Sequence, residues 1–169
     1  GFDYAHVGRL AGSRQSDALY QRNGDVDLNG LIDGDDLVFL AGGSGITPFM
    51  SIIRDAARRG WTNPSLQIHL LYGSRVLEDV IMGEELAELA AQHPSFHYTL
   101  IISEPPPGSE GVHQERPYLT GFLGADLIRD QVGNVANKTF YICGPNLMYD
   151  FCLCALQELG VPHYRIKRE

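Results

Sequence analysis

The chain has 169 residues, 44% hydrophobic and 20% charged, with 21 acidic against 13 basic side chains and a formal net charge of −8. That length suits one domain with an appendage, and the composition excludes a disordered or fibrous chain. The acidic balance repels phosphate backbones and anionic lipid, arguing against nucleic acid and membrane surfaces as partners. It leaves room for a small anion held by a local basic pocket.

The longest apolar runs, such as residues 37–41 and 66–72, fall far short of the roughly 20 residues that span a bilayer. No basic and then apolar leader precedes them. The three cysteines, Cys143, Cys152 and Cys154, are odd in number, and two lie one residue apart. They make no disulfide framework and suit a reducing, cytoplasmic setting. The first residue is Gly1 and the last is Glu169, directly after an Arg-Ile-Lys-Arg run. Both ends read as cut, as though a domain had been taken from a longer chain.

Residues 1–35 are expected to be a linker or the remnant of a preceding domain. Within them begins a patterned segment, Asp25-Val-Asp27-Leu-Asn29-Gly30-Leu31-Ile32-Asp33-Gly-Asp-Asp36. With Asp25 as position 1, Asp27, Asn29, Asp33 and Asp36 occupy oxygen-ligand positions of a calcium loop, and Leu31 offers its carbonyl at position 7. Gly30 permits the sharp turn. This resembles the EF-hand loop, and more closely its dockerin form, so a Ca²⁺-dependent interaction module is the competing reading. Against it, a helix should follow such a loop, whereas residues 37–41 read as a strand. Dockerins also carry two repeats, and one is present.

From residue 36 strands and helices alternate. The run at 37–41 reads as a buried strand ending in Gly42-Gly43. A helix follows, with Thr47 expected as its N-cap and Pro48 at its first position; Phe49, Ile52, Ile53, Ala56 and Ala57 form its apolar stripe, and Gly60 closes it. The pattern repeats as a strand at 66–72, a helix near 84–92 and a strand at 96–102. A Pro- and Gly-rich stretch at 103–120 is expected to be a long surface loop. A helix near 125–132, a strand at 139–143, a helix at 145–159 and a last strand near 163–166 complete the series. The fold predicted is α/β: a doubly wound, parallel five-stranded sheet with helices on both faces, spanning residues 36–169. Such sheets bind ligands outside the carboxyl ends of their strands.

Three loops at that edge carry candidate chemistry. Gly42-Gly43-Ser44-Gly45-Ile46-Thr47-Pro48 is a glycine turn opening a helix, suited to close approach by a pyrophosphate, although Pro48 replaces the last Gly of the usual fingerprint. Tyr72-Gly73-Ser74-Arg75 follows the second strand; no acid for a ribose hydroxyl appears there before Glu78 and Asp79, while Arg75 can pair with a 2′-phosphate or stack beside adenine. Cys143-Gly144-Pro145-Asn146-Leu147-Met148 opens another helix at the same edge. Cys152 and Cys154 point to different helix faces, and His93, His97 and His113 lack metal-ligand spacing.

Together these three motifs resemble the pyridine-nucleotide domain of ferredoxin–NADP reductase-like flavoproteins, over residues 36–169. They look most like bacterial reductases that join this domain to flavin and [2Fe–2S] domains. The resemblance implies NAD(P)H bound across the three loops and hydride passed to FAD or FMN on an adjoining domain, then electrons to an iron–sulfur centre and a downstream acceptor. It implies the pyrophosphate at Gly43–Gly45, Thr47 and Pro48 beside the nicotinamide, and Ser74 and Arg75 at the adenosine. Cys143 and Gly144 would lie against the nicotinamide, with Pro145, Asn146 and Met148 shaping the pocket. Thr47, Cys143 and Glu169 are the residues it implies near hydride transfer. The aromatic residue that follows the family's C-terminal Glu is absent, as is its flavin-binding Arg-x-Tyr-Ser/Thr run. The chain alone is therefore expected to be inactive, with residues 1–35 a linker or the remnant of a preceding flavin domain. A domain that senses NAD(P)H without turnover is a further alternative.

Overall fold

The computed structural model describes residues 36–61, 65–108, 111–113 and 116–168. In chain order these form β1 (Asp36–Gly42), α1 (Ile46–Arg58), β2 (Ile68–Ser74), α2 (Gly83–Gln92) and β3 (Phe96–Ile102). Then come three short strands, β4 (Val112–His113), β5 (Arg116–Pro117) and β6 (Leu119–Thr120), followed by α3 (Ala125–Val132), β7 (Lys138–Cys143), α4 (Asn146–Glu158) and β8 (Ile166–Arg168). The main sheet runs β6-β3-β2-β1-β7-β8, and each neighbouring pair is parallel.

β1 is central because its Leu-Val-Phe-Leu-Ala run is apolar on both faces, which only a strand covered above and below tolerates. Leu37, Phe39 and Ala41 pack with Phe49, Ile52 and Ile53 of α1 and Leu86 of α2. Val38 and Leu40 face the other way, into a core with Ile128 of α3 and Cys152, Ala155 and Leu156 of α4. Phe39 and Phe49 stack with ring centroids 4.5 Å apart. Truncating either ring to Ala would cost about 3–5 kcal/mol.

The expected fold class holds, with one more strand than the five expected. Leu119–Thr120 extends the edge beside β3, pairing with Ile101 and Ile102. The 103–120 stretch also holds the antiparallel β4–β5 pair. β2 sits two residues further on than expected, so Gly73 and Ser74 belong to the strand, opposite Ile101 and Ile102. Thr47 is not the N-cap of α1. Gly43–Gly45 coils as a 3₁₀ turn that runs into the helix, making Gly45 the cap residue, and the Thr47 Oγ1 donates to the Ser44 carbonyl at 2.9 Å. At the other end Pro162 opens a 3₁₀ turn over His163–Arg165, which delays the last strand to Ile166–Arg168.

Strand order fixes the location of a crevice. From β1 the chain moves outward through β2, β3 and β6, then returns to β7 on the other side of β1. The direction reverses between β1 and β7, which is where doubly wound sheets leave a ligand cleft at their carboxyl edge.

Candidate functional site

The three loops meet along one rim. Ala41 lies opposite Cys143 in the β1–β7 register and Gly42 opposite Gly73 in the β1–β2 register, so all three strands end level. Gly43 has φ +53°, a left-handed conformation that glycine adopts without strain. Gly45 packs directly on the opposite loop: a Cβ there would overlap the Cys143 carbonyl and come within 2.8 Å of the Gly144 nitrogen. A Cβ on Gly144 would lie 2.6 Å from the Met148 Sδ and 3.2 Å from the Gly42 Cα. The β1 and β7 turns are thus locked backbone to backbone, with the Met148 sulfur packed against both Gly42 and Gly144.

Two helices begin at this crevice, α1 at Ile46 and α4 at Asn146, and neither has a side-chain cap. The positive ends of both helix dipoles lie at this edge, an arrangement that favours an anion, although the Ile46 amide is spent on the Gly43 carbonyl and the Met148 amide on the Pro145 carbonyl. Ser44 and Thr47 are exposed there, while Gly45, Ile46 and Pro48 are buried. Cys143 is half-buried at the end of β7; Pro145 and Asn146 are exposed, and Leu147 is 83% exposed. Ser74 is buried, its Oγ donating to the Val76 carbonyl at 3.0 Å. Its hydroxyl proton therefore serves the next turn. Arg75 is exposed and pairs with Glu104 at 3.4 Å. Glu169 lies outside the described residues.

The structure gives roles to two residues outside the expected binding set, Tyr72, which the sequence marks only as the start of the β2 loop motif, and Glu104. The Tyr72 ring is fully buried, and its hydroxyl sits between the Gly43 carbonyl and the Ile81 amide, at 3.1 Å from each. Glu104 reaches Arg75 from the end of the neighbouring strand, through backbone bonds of Ser103 to Ser74 and Glu104 to Arg75. The first is invisible because the hydroxyl's partners are 29 and nine residues away, and the second because Glu104 follows a different strand, 29 positions beyond Arg75.

Of the calcium-loop positions, Asp25, Asp27, Asn29, Leu31 and Asp33 lie outside the described residues. Asp36, the twelfth position, starts β1, and its carboxylate accepts from the Lys138 Nζ at 2.5 Å. That partner is a strand residue and leaves Asp36 committed to the sheet. Among the described residues no cluster of three or more His, Cys, Asp or Glu side chains could hold a metal ion. Cys152 is buried, its thiol pushed up to about 12 by desolvation, and Cys154 is exposed, as their spacing requires. Among the described residues no helix is long and apolar enough to cross a membrane.

With this geometry in view, residues 39–153 match the sequence family described as the oxidoreductase NAD-binding domain. The chain belongs to that family. The match spans both turns of the β1–β7 crevice and the β2 and β3 loops. The chain is 33% identical over 125 residues to the NADH-cytochrome b5 reductase 1 of Dictyostelium discoideum, covering 72% of this chain and 40% of that protein. It is 29% identical over 133 residues to the flavohemoprotein of Rhodopirellula baltica, covering 79% of this chain and 31% of that one. The crystal structure of the cytochrome b5 reductase domain of Ulva prolifera nitrate reductase shares the fold, with a TM-score of 0.66 at 24% identity over 80% of this chain and 50% of its own. The NAD-binding domain thus spans less than half the length of these two sequence relatives.

Proposed function

We propose that this NAD-binding domain holds NAD(P)H across the β1–β7 crevice and presents the nicotinamide to a flavin carried by an adjoining domain, from which electrons pass to an iron–sulfur centre. The observation that carries this reading is the convergence of two helix starts without side-chain caps and the glycine turns after β1 and β7 on the crevice where strand order reverses, with the Gly73 end of β2 beside it. A dinucleotide suits this rim because Gly43 leaves open space for close approach to backbone amides, while Gly42, Gly45 and Gly144 let the two turns pack together, in an otherwise acidic molecule.

When bound, nicotinamide supplies a hydride, and the protein's share of the work is placement. Gly43, Ser44 and Gly45 hold the pyrophosphate through their amides and the α1 dipole. Arg75, exposed on the β2 loop, meets the adenosine ribose or its phosphate, and the Ser74 side chain braces that turn. Ile46, Thr47 and Pro48 border the nicotinamide on one side, while Cys143, Gly144, Pro145 and Asn146 border it on the other. Met148 keeps the two turns in register. Glu169 stands next to the hydride-transfer site in this reading. In this reading the flavin is carried by an adjoining domain. A reducing compartment suits the three free thiols.

Calorimetry of the chain with NADH, NADPH and Ca²⁺ in parallel tests this reading. Saturable heat from either nucleotide supports it. Heat from Ca²⁺ and none from either nucleotide would overturn it in favour of a calcium module.

A further inference from the structure

The Tyr72 hydroxyl joins two segments that the nucleotide reading treats separately. It donates to the Gly43 carbonyl and accepts from the Ile81 amide, so its hydrogen-bonding capacity is used in both directions. Burial raises its pKa, which keeps the proton in place for the Gly43 bond. The Gly43 carbonyl also accepts from the Ile46 amide at the start of α1. Two donors from the protein interior therefore hold this one oxygen inward.

A trans peptide carries its C=O and N–H in opposite directions, and no cis peptide is present among the described residues. Holding the Gly43 oxygen inward therefore turns the N–H of Ser44, its peptide partner, away from the interior. Ser44 is exposed on the rim, and the left-handed φ of Gly43 is the backbone setting that allows this orientation. Without Tyr72 the peptide would keep only the Ile46 donor and could rock about the Gly43 dihedrals.

We infer that Tyr72 is a positioning residue for the dinucleotide: by anchoring the Gly43 carbonyl to the Ile81 segment, its hydroxyl aims the Ser44 amide at the pyrophosphate. This deepens the nucleotide reading and rests on it. The ring itself fills the core beneath the rim, so the predicted effect belongs to the hydroxyl alone.

The test is Tyr72→Phe in the full 169-residue chain, with affinity measured for ADP-ribose, which carries the pyrophosphate, and for AMP, which does not. The expected result is a loss of about three- to tenfold for ADP-ribose, the range of one modest hydrogen bond, with AMP changed less than about twofold. The ligand-induced amide shift of Ser44 should shrink in the same variant. Tyr98→Phe, which removes a hydroxyl from the adjacent strand, should leave both affinities as they are. Should Tyr72→Phe fold poorly, Ser44→Pro deletes the aimed amide directly and should cost ADP-ribose at least as much. Unchanged ADP-ribose affinity in either variant, or an equal loss for AMP, would overturn the inference while leaving the nucleotide reading intact. A wild-type chain that binds neither compound would overturn both.

Discussion

Arg75 and Glu104 stand 29 positions apart in the chain and meet at 3.4 Å between the ends of β2 and β3. Both are largely exposed, 65% and 62%, so the pair is weak and readily broken by a ligand. Its importance is its place. A guanidinium at this loop attracts a 2′-phosphate, and a carboxylate beside it repels one. Glu104→Gln is therefore expected to raise affinity for NADPH relative to NADH by about fivefold, the scale of one exposed charge interaction. Arg75→Ala should move the ratio the other way. Paired titrations of each variant with the two nucleotides check this, and an unchanged ratio in both would remove this pair from coenzyme choice.

The backbone contact between the β1 and β7 turns predicts intolerance of any side chain at Gly45. Its Cβ has no space against the Cys143 carbonyl, and backbone cannot retreat as a flexible side chain can. Gly45→Ala is expected to lower stability by about 1–3 kcal/mol, the usual cost of overpacking, and to lower nucleotide affinity in the same protein. Gly60→Ala provides the comparison, because there a Cβ meets nothing within 4 Å and the cost is the positive φ alone. Denaturant midpoints for the two variants read the difference; equal losses would mean the turn contact adds nothing.

Lys138 is 9% exposed in its side chain and depends on Asp36 across the β1–β7 pair. Asp36→Asn leaves an ammonium group in a desolvated place with only a neutral partner. A loss of about 2–4 kcal/mol is expected in chemical unfolding, toward the lower side of what fully buried pairs cost. If the Asp36 carboxylate instead served a calcium site, Ca²⁺ would stabilise the wild type and not the variant. The ion pair predicts no such calcium-dependent difference.

Stability should also fall on mild acidification. His69 is lowered from its ordinary value to about 4, first by burial, then by Lys138 and by His97, whose ring stacks on it at 4.7 Å, with Asp36 opposing. A depressed histidine resists protonation when folded but takes up a proton when unfolded. Its contribution is therefore intact above about pH 6.5 and is lost at up to about 1.4 kcal/mol per pH unit as pH falls toward 4. Unfolding of His69→Gln across the same window should show a shallower slope. A slope identical to wild type would assign the acid sensitivity elsewhere.

The fold was legible because its information is local. The two-sided apolar run of β1, the helical stripe from Phe49 to Ala56 and the punctuating glycines each announce their element within a dozen residues. The edge strand at Leu119–Thr120 was not, since two residues cannot display a period and only pairing with β3 makes them a strand. Thr47 illustrates a local rule overridden: a good capping residue stands next to Pro48, yet the glycines before it had already begun to coil. The site divides in the same way. Its backbone parts, the glycine turns, were visible as motifs, whereas its side-chain supports depend on contacts between distant segments. Tyr72 reaches back to Gly43, Glu104 crosses to Arg75, and Met148 packs against Gly144; no spacing rule encodes those meetings.

Hydride transfer separates positioning from grip. In a full-length protein that carries a flavin, the proposed placement of Thr47 and Cys143 beside the nicotinamide predicts that Thr47→Ala or Cys143→Ala slows flavin reduction by NAD(P)H about tenfold while changing nucleotide affinity about twofold. Rapid-mixing absorbance at saturating nucleotide reads the rate. Equal losses in rate and affinity would contradict that placement.

The most direct measurement is an amide chemical-shift titration of the chain with NADH. The account predicts one set of saturating perturbations shared by Gly43–Thr47, by Ser74 with Arg75, and by Cys143–Met148, all following a single binding curve. Perturbations confined to one of those loops, or scattered over the opposite ends of the strands, would contradict it.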